Sequence, residues 1–297
     1  MQAPAEFVRP TDFLRSAPTA AGSAVDSTMT ESSEKRFSGA GVTGLVRDDG
    51  KVGELLLDTP SKLNPLSTAT LRSIEEAARW FDVHDDLRVV VVKGAGRVFS
   101  AGASLTAFDP AATQADPRHD SDSGWRMARA MDEMRSVTVA QIHGWCVGGG
   151  LVVASCCDLR IAADDARFSI PEIDLGIPLA WGGIPRLVRE IGPAATKELV
   201  MTCRPFDAAE AVRLGFLNRA VPGEELENVV HELVSTLVSK PKLALLSTKT
   251  HVNAVTESMV NTGRSWADAD GLLAGLRDPE GRASSAAYLD RVRRKTP

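Results

Sequence analysis

Val137-Thr-Val-Ala-Gln-Ile-His-Gly-Trp-Cys-Val-Gly-Gly-Gly-Leu151 passes from a strand pattern through glycines into a helix pattern. The run Val137–Ile142 is rich in β-branched and apolar side chains, as in a strand covered on both faces. Three glycines then open residues 149–157, which read as a helix. Glycines at such a start let a ligand approach the backbone closely. The unsatisfied N–H groups of the first turn, with the helix dipole, favour negative charge there.

The same alternation continues outward from this stretch. Residues 87–92 form a second covered-strand run, and residues 159–162 and 166–170 form shorter ones. Residues 124–135 carry a helical pattern between them. Upstream, Val42–Val46 and Val52–Leu57 flank Asp48-Asp49-Gly50 and read as a hairpin. Ser67 is placed to cap a helix reaching Phe81, with Leu71, Ile74, Ala77, Ala78 and Phe81 on one stripe. From Ile184 onward the pattern is helical, punctuated by Pro193, Pro205, Pro222 and Pro241. These features predict an α/β fold: a disordered extension over residues 1–38, an α/β core over 39–192 and a helical region over 193–297.

The chain has 297 residues, enough for a full core, with 43% hydrophobic and 25% charged residues and a net charge of −5. That balance gives no electrostatic footprint for nucleic acid. No apolar run reaches the roughly 18 residues of a membrane span. The first residues lack a basic segment followed by an apolar one, so no secretory signal is expected, and Met29 is a candidate alternative start. Cys146, Cys156, Cys157 and Cys203 form no C-x-x-C and read as small buried hydrophobes of a reducing, cytoplasmic setting. Residues 106–123 are rich in Asp, Ala, Pro and Ser and read as a mobile loop able to cover a pocket. Its Asp116, His119, Asp120 and Asp122 read as solvated, and no metal is expected.

Two glycine-bearing turns follow the two best strands. The first, Gly94-Ala-Gly-Arg-Val-Phe99, has Phe99 where a dinucleotide fingerprint needs Gly or Ala, and no acid follows at the right distance. Ser104 fails the nucleophile-elbow pattern because Thr106 replaces its last glycine. Either turn alone reads equally well as a plain tight turn.

A third segment, Cys157-Asp-Leu-Arg-Ile-Ala-Ala-Asp-Asp-Ala-Arg-Phe-Ser-Ile-Pro-Glu-Ile-Asp-Leu-Gly-Ile177, changes that balance, with Trp181-Gly-Gly-Ile-Pro-Arg-Leu187 beyond it. Together with Val98-Phe-Ser-Ala-Gly-Ala-Ser-Leu105 and His143-Gly-Trp-Cys-Val-Gly-Gly-Gly150, it resembles the crotonase (enoyl-CoA hydratase/isomerase) superfamily in order and spacing. The likeness runs from about residue 42 to 294 and includes Asp278-Pro-Glu-Gly-Arg282 and Ala287-Tyr-Leu289. It implies a crotonase-like ββα spiral core with a C-terminal helical trimerisation region, assembled as a homotrimer or dimer of trimers. It also implies an acyl-CoA thioester substrate, with CoA part of that substrate and no separate cofactor.

The resemblance assigns site residues individually. It puts the two oxyanion N–H donors on Ala101 and Gly149, with Gly102, Ala103 and Ser104 beside the thioester and Lys62 near the CoA cleft. Ser104 replaces the family's usual Asp. Two carboxyl groups serve hydration in the family; one is present as Glu172, while the position of the other holds Val152. The Asp that the family's dienoyl isomerases place eight residues beyond this Glu is Ala180. A single-Glu 3,2-enoyl-CoA isomerase-like reaction, through an oxyanion-stabilised enolate, is therefore expected. A hydratase with a modified water site and a non-catalytic acyl-CoA binder are the alternatives. Asp174 is a lesser candidate, His143 reads as a turn residue and Asp158 with Arg160 as a structural pair. Trp145 and Trp181 read as either core or acyl-pocket aromatics.

Overall fold

The computed structural model describes residues 33–37, 41–47, 49–104 and 117–294. Its main sheet has seven strands in the order β1-β2-β3-β4-β5-β7-β10. These are Ser33–Phe37 (β1), Val42–Val46 (β2), Val52–Leu57 (β3), Val89–Gly94 (β4), Val137–Ile142 (β5), Leu159–Ala163 (β7) and Arg219–Val221 (β10). The first three pair antiparallel, and β3 through β10 run parallel. A smaller sheet joins Trp145–Val147 (β6), Arg167–Ser169 (β8) and Phe206–Asp207 (β9).

Strand periodicity explains how the main sheet is sandwiched. Val90 and Val92 of β4 join the large core with Ile74, Ala77, Ala78 and Phe81 of the helix Thr68–Phe81 (α1). Val89 and Val91 face the opposite way, with Val139 and Ile161, against Leu226, Val230 and Val234 of Leu226–Val238. Both faces are therefore dry, as the covered-strand runs predict. The hairpin forms with the expected limits. So does α1, whose cap Ser67 accepts the Thr70 N–H at 3.1 Å.

The remaining helices are Pro117–Ser121 (α2), Ser123–Glu133 (α3), Gly149–Ser155 (α4), Gly183–Thr202 (α5), Ala208–Leu214 (α6), Leu226–Val238 (α7), Lys242–Met259 (α8), Asp268–Arg277 (α9) and Pro279–Arg293 (α10). Helix α5 breaks at Gly192, with φ 75° and ψ 165°, because Pro193 forces its predecessor out of the helical region. No helix is long and apolar enough to cross a membrane, among the described residues.

Three expectations change. The extension assigned to residues 1–38 includes β1, an edge strand whose Phe37 is buried edge-on to Trp80. Its Ser-Glu-Lys-Arg run hides the strand, since charged side chains are what an exposed edge carries. The rest of that extension lies outside the described residues, as do residues 106–116 of the expected loop. Residues 117–121 of that loop form α2 instead, with Asp120 paired to Arg72 and Asp122 to Arg118. The boundary at residue 193 cuts through the sheet, because β10 pairs with β7 and α7 covers one face. A three-residue strand is too short to show a period.

The Ser67 cap gives a direct test. Ser67→Ala is expected to destabilise the protein by about 1 kcal/mol, read as a lowered urea midpoint at unchanged slope. An unchanged midpoint would mean that the cap contributes nothing.

Candidate active site

The site begins with a buried amide. Asn64 lies at φ 51°, a left-handed conformation that Asn tolerates. Its Oδ1 accepts the Thr59 N–H at 2.9 Å, and its Nδ2 donates to the carbonyls of Ala95 at 2.8 Å, Val98 at 3.0 Å and Phe99 at 3.3 Å. Ser100 Oγ donates to the Asn64 carbonyl at 2.8 Å and accepts the Gly102 N–H at 3.1 Å. These bonds stitch residues 98–104 to residues 63–66.

The stitching decides which backbone groups face outward. Ala101 donates its N–H to the Leu63 carbonyl at 2.9 Å. Leu66 donates to the Gly102 carbonyl at 2.8 Å and accepts from the Ser104 N–H at 3.0 Å. In this parallel bridge the residue between them, Ala103, turns its backbone groups the other way. The assignment of a donor role to Ala101 is thus corrected: its N–H is already bonded, and Ala103 takes the outward position. Neither Ala103 nor Gly149 donates its N–H to an acceptor among the described residues.

Gly102 brings these two donors to one seam. At φ 87°, a side chain there would stand 2.6 Å from the Val147 carbonyl and 3.6 Å from the Gly149 nitrogen. Only glycine permits that approach. Gly149 sits in the first turn of α4, where the N–H has no intrahelical partner. Lys62 stands exposed on the short 3-10 turn leading into this segment, without an ion pair among the described residues.

Glu172 faces the same glycine run. A Cβ on Gly148 would fall 2.4 Å from Glu172 Oε1 and 3.4 Å from Oε2. The carboxyl is buried, and Oε2 has no hydrogen-bond partner among the described residues. Burial pushes its pKa from the ordinary 4.5 up to about 7, against a smaller downward pull from its own backbone N–H. The turn holding it closes through Leu175 and Ile177, which both donate to the Glu172 carbonyl. Helix α10 clamps that turn: Ser285 donates to the Leu175 carbonyl, and Tyr288 joins Leu175, Ile177 and Ala103 in one apolar cluster. Burial and the charges of Glu172 and Asp174 push the Tyr288 phenol up to about 12.

The other candidates fall elsewhere. Val152 is buried against Leu179, and its Cγ2 would stand 2.9 Å from a Cβ on Gly183. His143 Nε2 bonds the Gly96 carbonyl at 2.9 Å, and Trp145 is core with Val98 and Val147. Asp158 and Arg160 are structural but do not pair. Asp158 holds Thr138 and Lys249, while Arg160 holds Glu190 and the Phe216 and Cys157 carbonyls. The cysteines are free, and burial pushes the thiols of Cys146, Cys156 and Cys157 up. Ala103 was expected beside the thioester and Trp181 as a core or acyl-pocket aromatic, whereas the sequence carries no local signal for the roles of Asn64 and Tyr288.

Fold and site together define an α/β protein with a buried basic carboxyl beside two outward backbone donors, an arrangement suited to stabilising an enolate. The Enoyl-CoA hydratase/isomerase family model matches residues 47–293, and the chain belongs to that family, within the crotonase superfamily. A crotonyl-CoA hydratase of Syntrophomonas wolfei is 31% identical over 83% of this chain and 95% of its own. A peroxisomal Delta(3,5)-Delta(2,4)-dienoyl-CoA isomerase of Arabidopsis thaliana is 30% identical over 82% and 92%. The crystal structure of an enoyl-CoA hydratase from Bacillus halodurans shares the fold, with a TM-score of 0.76 at 24% identity over 83% of this chain and 99% of that one.

The raised Glu172 pKa has a stability consequence. The folded state holds this proton more tightly than the unfolded chain, so the contribution is full below pH 4.5 and is lost as pH rises through about 7. At about 1.4 kcal/mol per pKa unit the loss is on the order of 3 kcal/mol. Glu172→Gln is expected to be more stable than the wild type near pH 8.5, by up to about 3 kcal/mol, and nearly equal to it near pH 4. Urea unfolding at both pH values checks this; an equal difference at both would contradict the buried, unpaired carboxyl.

Proposed function

We propose that this protein shifts the double bond of a 3-enoyl-CoA to the 2-position, with Glu172 as the single acid–base group. The thioester carbonyl oxygen accepts the N–H groups of Ala103 and Gly149. Ionised Glu172 removes an α-proton, and the resulting dienolate places its charge on the oxygen held by those donors. The same carboxyl then returns the proton to the γ-carbon, so the cycle needs no water. Lys62, exposed at the rim, supplies a cation for the CoA phosphates.

Val152 carries this reading. Hydration uses a second carboxyl to activate water, and the position that resembles the family's second Glu holds a valine buried in apolar packing. The hydratase reading draws on the names of the relatives, several of which are hydratases. It requires another group to position water, and residues 148–157 contain no acid. The exposed Leu243, Val252, Val255 and Met259 of α8 support contact between copies, the trimer or paired trimers of the resemblance. Buried free cysteines support a reducing, cytoplasmic setting.

The test offers the protein a 3-enoyl-CoA and a 2-enoyl-CoA separately, following the conjugated thioester absorbance. Isomerisation is expected with the first and little hydration with the second. Glu172→Gln is expected to lose about 10²–10⁴-fold in kcat. Robust hydration by the wild type would overturn the single-carboxyl mechanism, and undiminished isomerisation by Glu172→Gln would remove Glu172 from it.

A further inference from the structure

Trp181 sits where a bulky side chain is costly. Its φ is 60°, a left-handed value rare for an aromatic residue. The surrounding bonds enforce it. Gly182 donates its N–H to Asp268 Oδ2 at 2.7 Å and accepts Arg186 Nη1 on its carbonyl at 2.9 Å. Arg186 is itself buried and paired with Asp132.

What this backbone delivers is the indole. A Cβ on Gly124, in α3, would lie 2.0 Å from Cδ1 and 2.1 Å from Cγ of the five-membered ring. A Cβ on Gly149 would lie 2.2 Å from Cζ3 and 2.8 Å from Cη2 of the six-membered ring. Two glycines thus make room for one ring system, whose far half covers the residue that supplies an outward N–H. Glu172 occupies the corresponding place over Gly148. Carboxyl and indole therefore flank the same turn on neighbouring residues. An acyl group with its carbonyl oxygen on the Gly149 N–H and its α-carbon at Glu172 has to run past the six-membered ring.

We infer that Trp181 is a specificity-determining residue, the end wall of the acyl site, and that it restricts the protein to short acyl chains. This rests on the acyl-CoA reading above, but not on which reaction follows binding. Trp181→Phe keeps a ring in the Gly124 gap and removes the half that covers Gly149. Trp181→Ala removes both. Gly124→Ala pushes the indole toward Gly149 and narrows the site.

Calorimetric titration with saturated acyl-CoA thioesters of four to twelve carbons decides the matter, with no turnover required. In the wild type, affinity should fall from the shortest to the longest chain. The ratio of long- to short-chain affinity should rise about tenfold or more in Trp181→Phe, since one methylene in an apolar pocket is worth about 10–200-fold. It should rise further in Trp181→Ala and fall in Gly124→Ala. Should Trp181→Ala fail to fold, the Phe variant decides alone, provided its melting curve matches the wild type. A folded variant whose affinities change equally at every length, or not at all, would overturn the wall. Absence of binding at any length in the wild type would overturn the acyl-CoA reading itself, and the wall with it. Glu172→Gln should lose turnover and keep the wild-type length dependence, which separates the wall from the base.

Discussion

The site depends on one steric constraint, the contact of two backbones with no side chain between them. Gly102 lies against the Val147 carbonyl, and Gly144 lies against the Arg97 carbonyl, where an added Cβ would stand 2.2 Å away. At both positions the obstacle is backbone, which cannot swing aside as a flexible side chain can. The 98–104 segment and the turn into α4 therefore either meet as they do or separate. Asn64 fixes the outer side of this seam by binding three carbonyls with one amide. Main-chain donors held this way need little reorganisation when charge develops in front of them, the condition under which an oxyanion site is most effective.

Against that rigid seam, Glu172 is the costly component. Other buried or half-buried ionised groups have close partners: Arg160 with Glu190, Arg186 with Asp132, Lys249 with Asp158. Glu54 shows the usual outcome, its pKa lowered although burial opposes it, because Lys93 and Arg47 bond its carboxylate. Glu172 has no such cation, and one of its oxygens is bonded to nothing among the described residues. An unpaired buried carboxyl destabilises the fold whenever it ionises. The clamp of α10 on its turn, through Ser285 and the Gly176–Gly281 contact, keeps the chain from relaxing that burial. The same desolvation moves the group to about 7, where it is half-ionised near neutral pH and suited to acid–base exchange.

Much of the fold was legible because burial writes periodicity into long elements. Val89–Val92 read as covered on both sides because α1 and α7 each take alternate valines. Ser67 and Phe81 marked α1 because a cap and an apolar stripe are both local features. Elements without such a signature were missed: β1 is polar because it is an edge, and β10 is too short to have a period. At the site, Glu172 and Gly149 were reached through the resemblance of their segments to the superfamily, whereas the other donor was misplaced by two residues. Choosing between Ala101 and Ala103 depends on which carbonyls the 63–66 segment offers, and that partner is distant in sequence. Asp158 and Arg160 were paired wrongly for a related reason, since two residues apart on a strand is a spacing and not a contact.

Val152 and Trp181 acquire a joint meaning once both are placed. A catalytic water needs two or more polar partners to be held in a closed site. The space beyond Gly149 is bordered by the indole of Trp181, and Val152 lies with Leu179 against Gly183. Among the described residues, Glu172 faces the glycine turn with one oxygen unbonded. A lone carboxyl with an unsatisfied atom suits a reaction that returns the proton it takes, because each state of the cycle keeps the same charge and hydrogen count inside the site. Under the proposed isomerisation Val152 and Trp181 act together, since neither the valine nor the six-membered ring offers a hydrogen bond to a water.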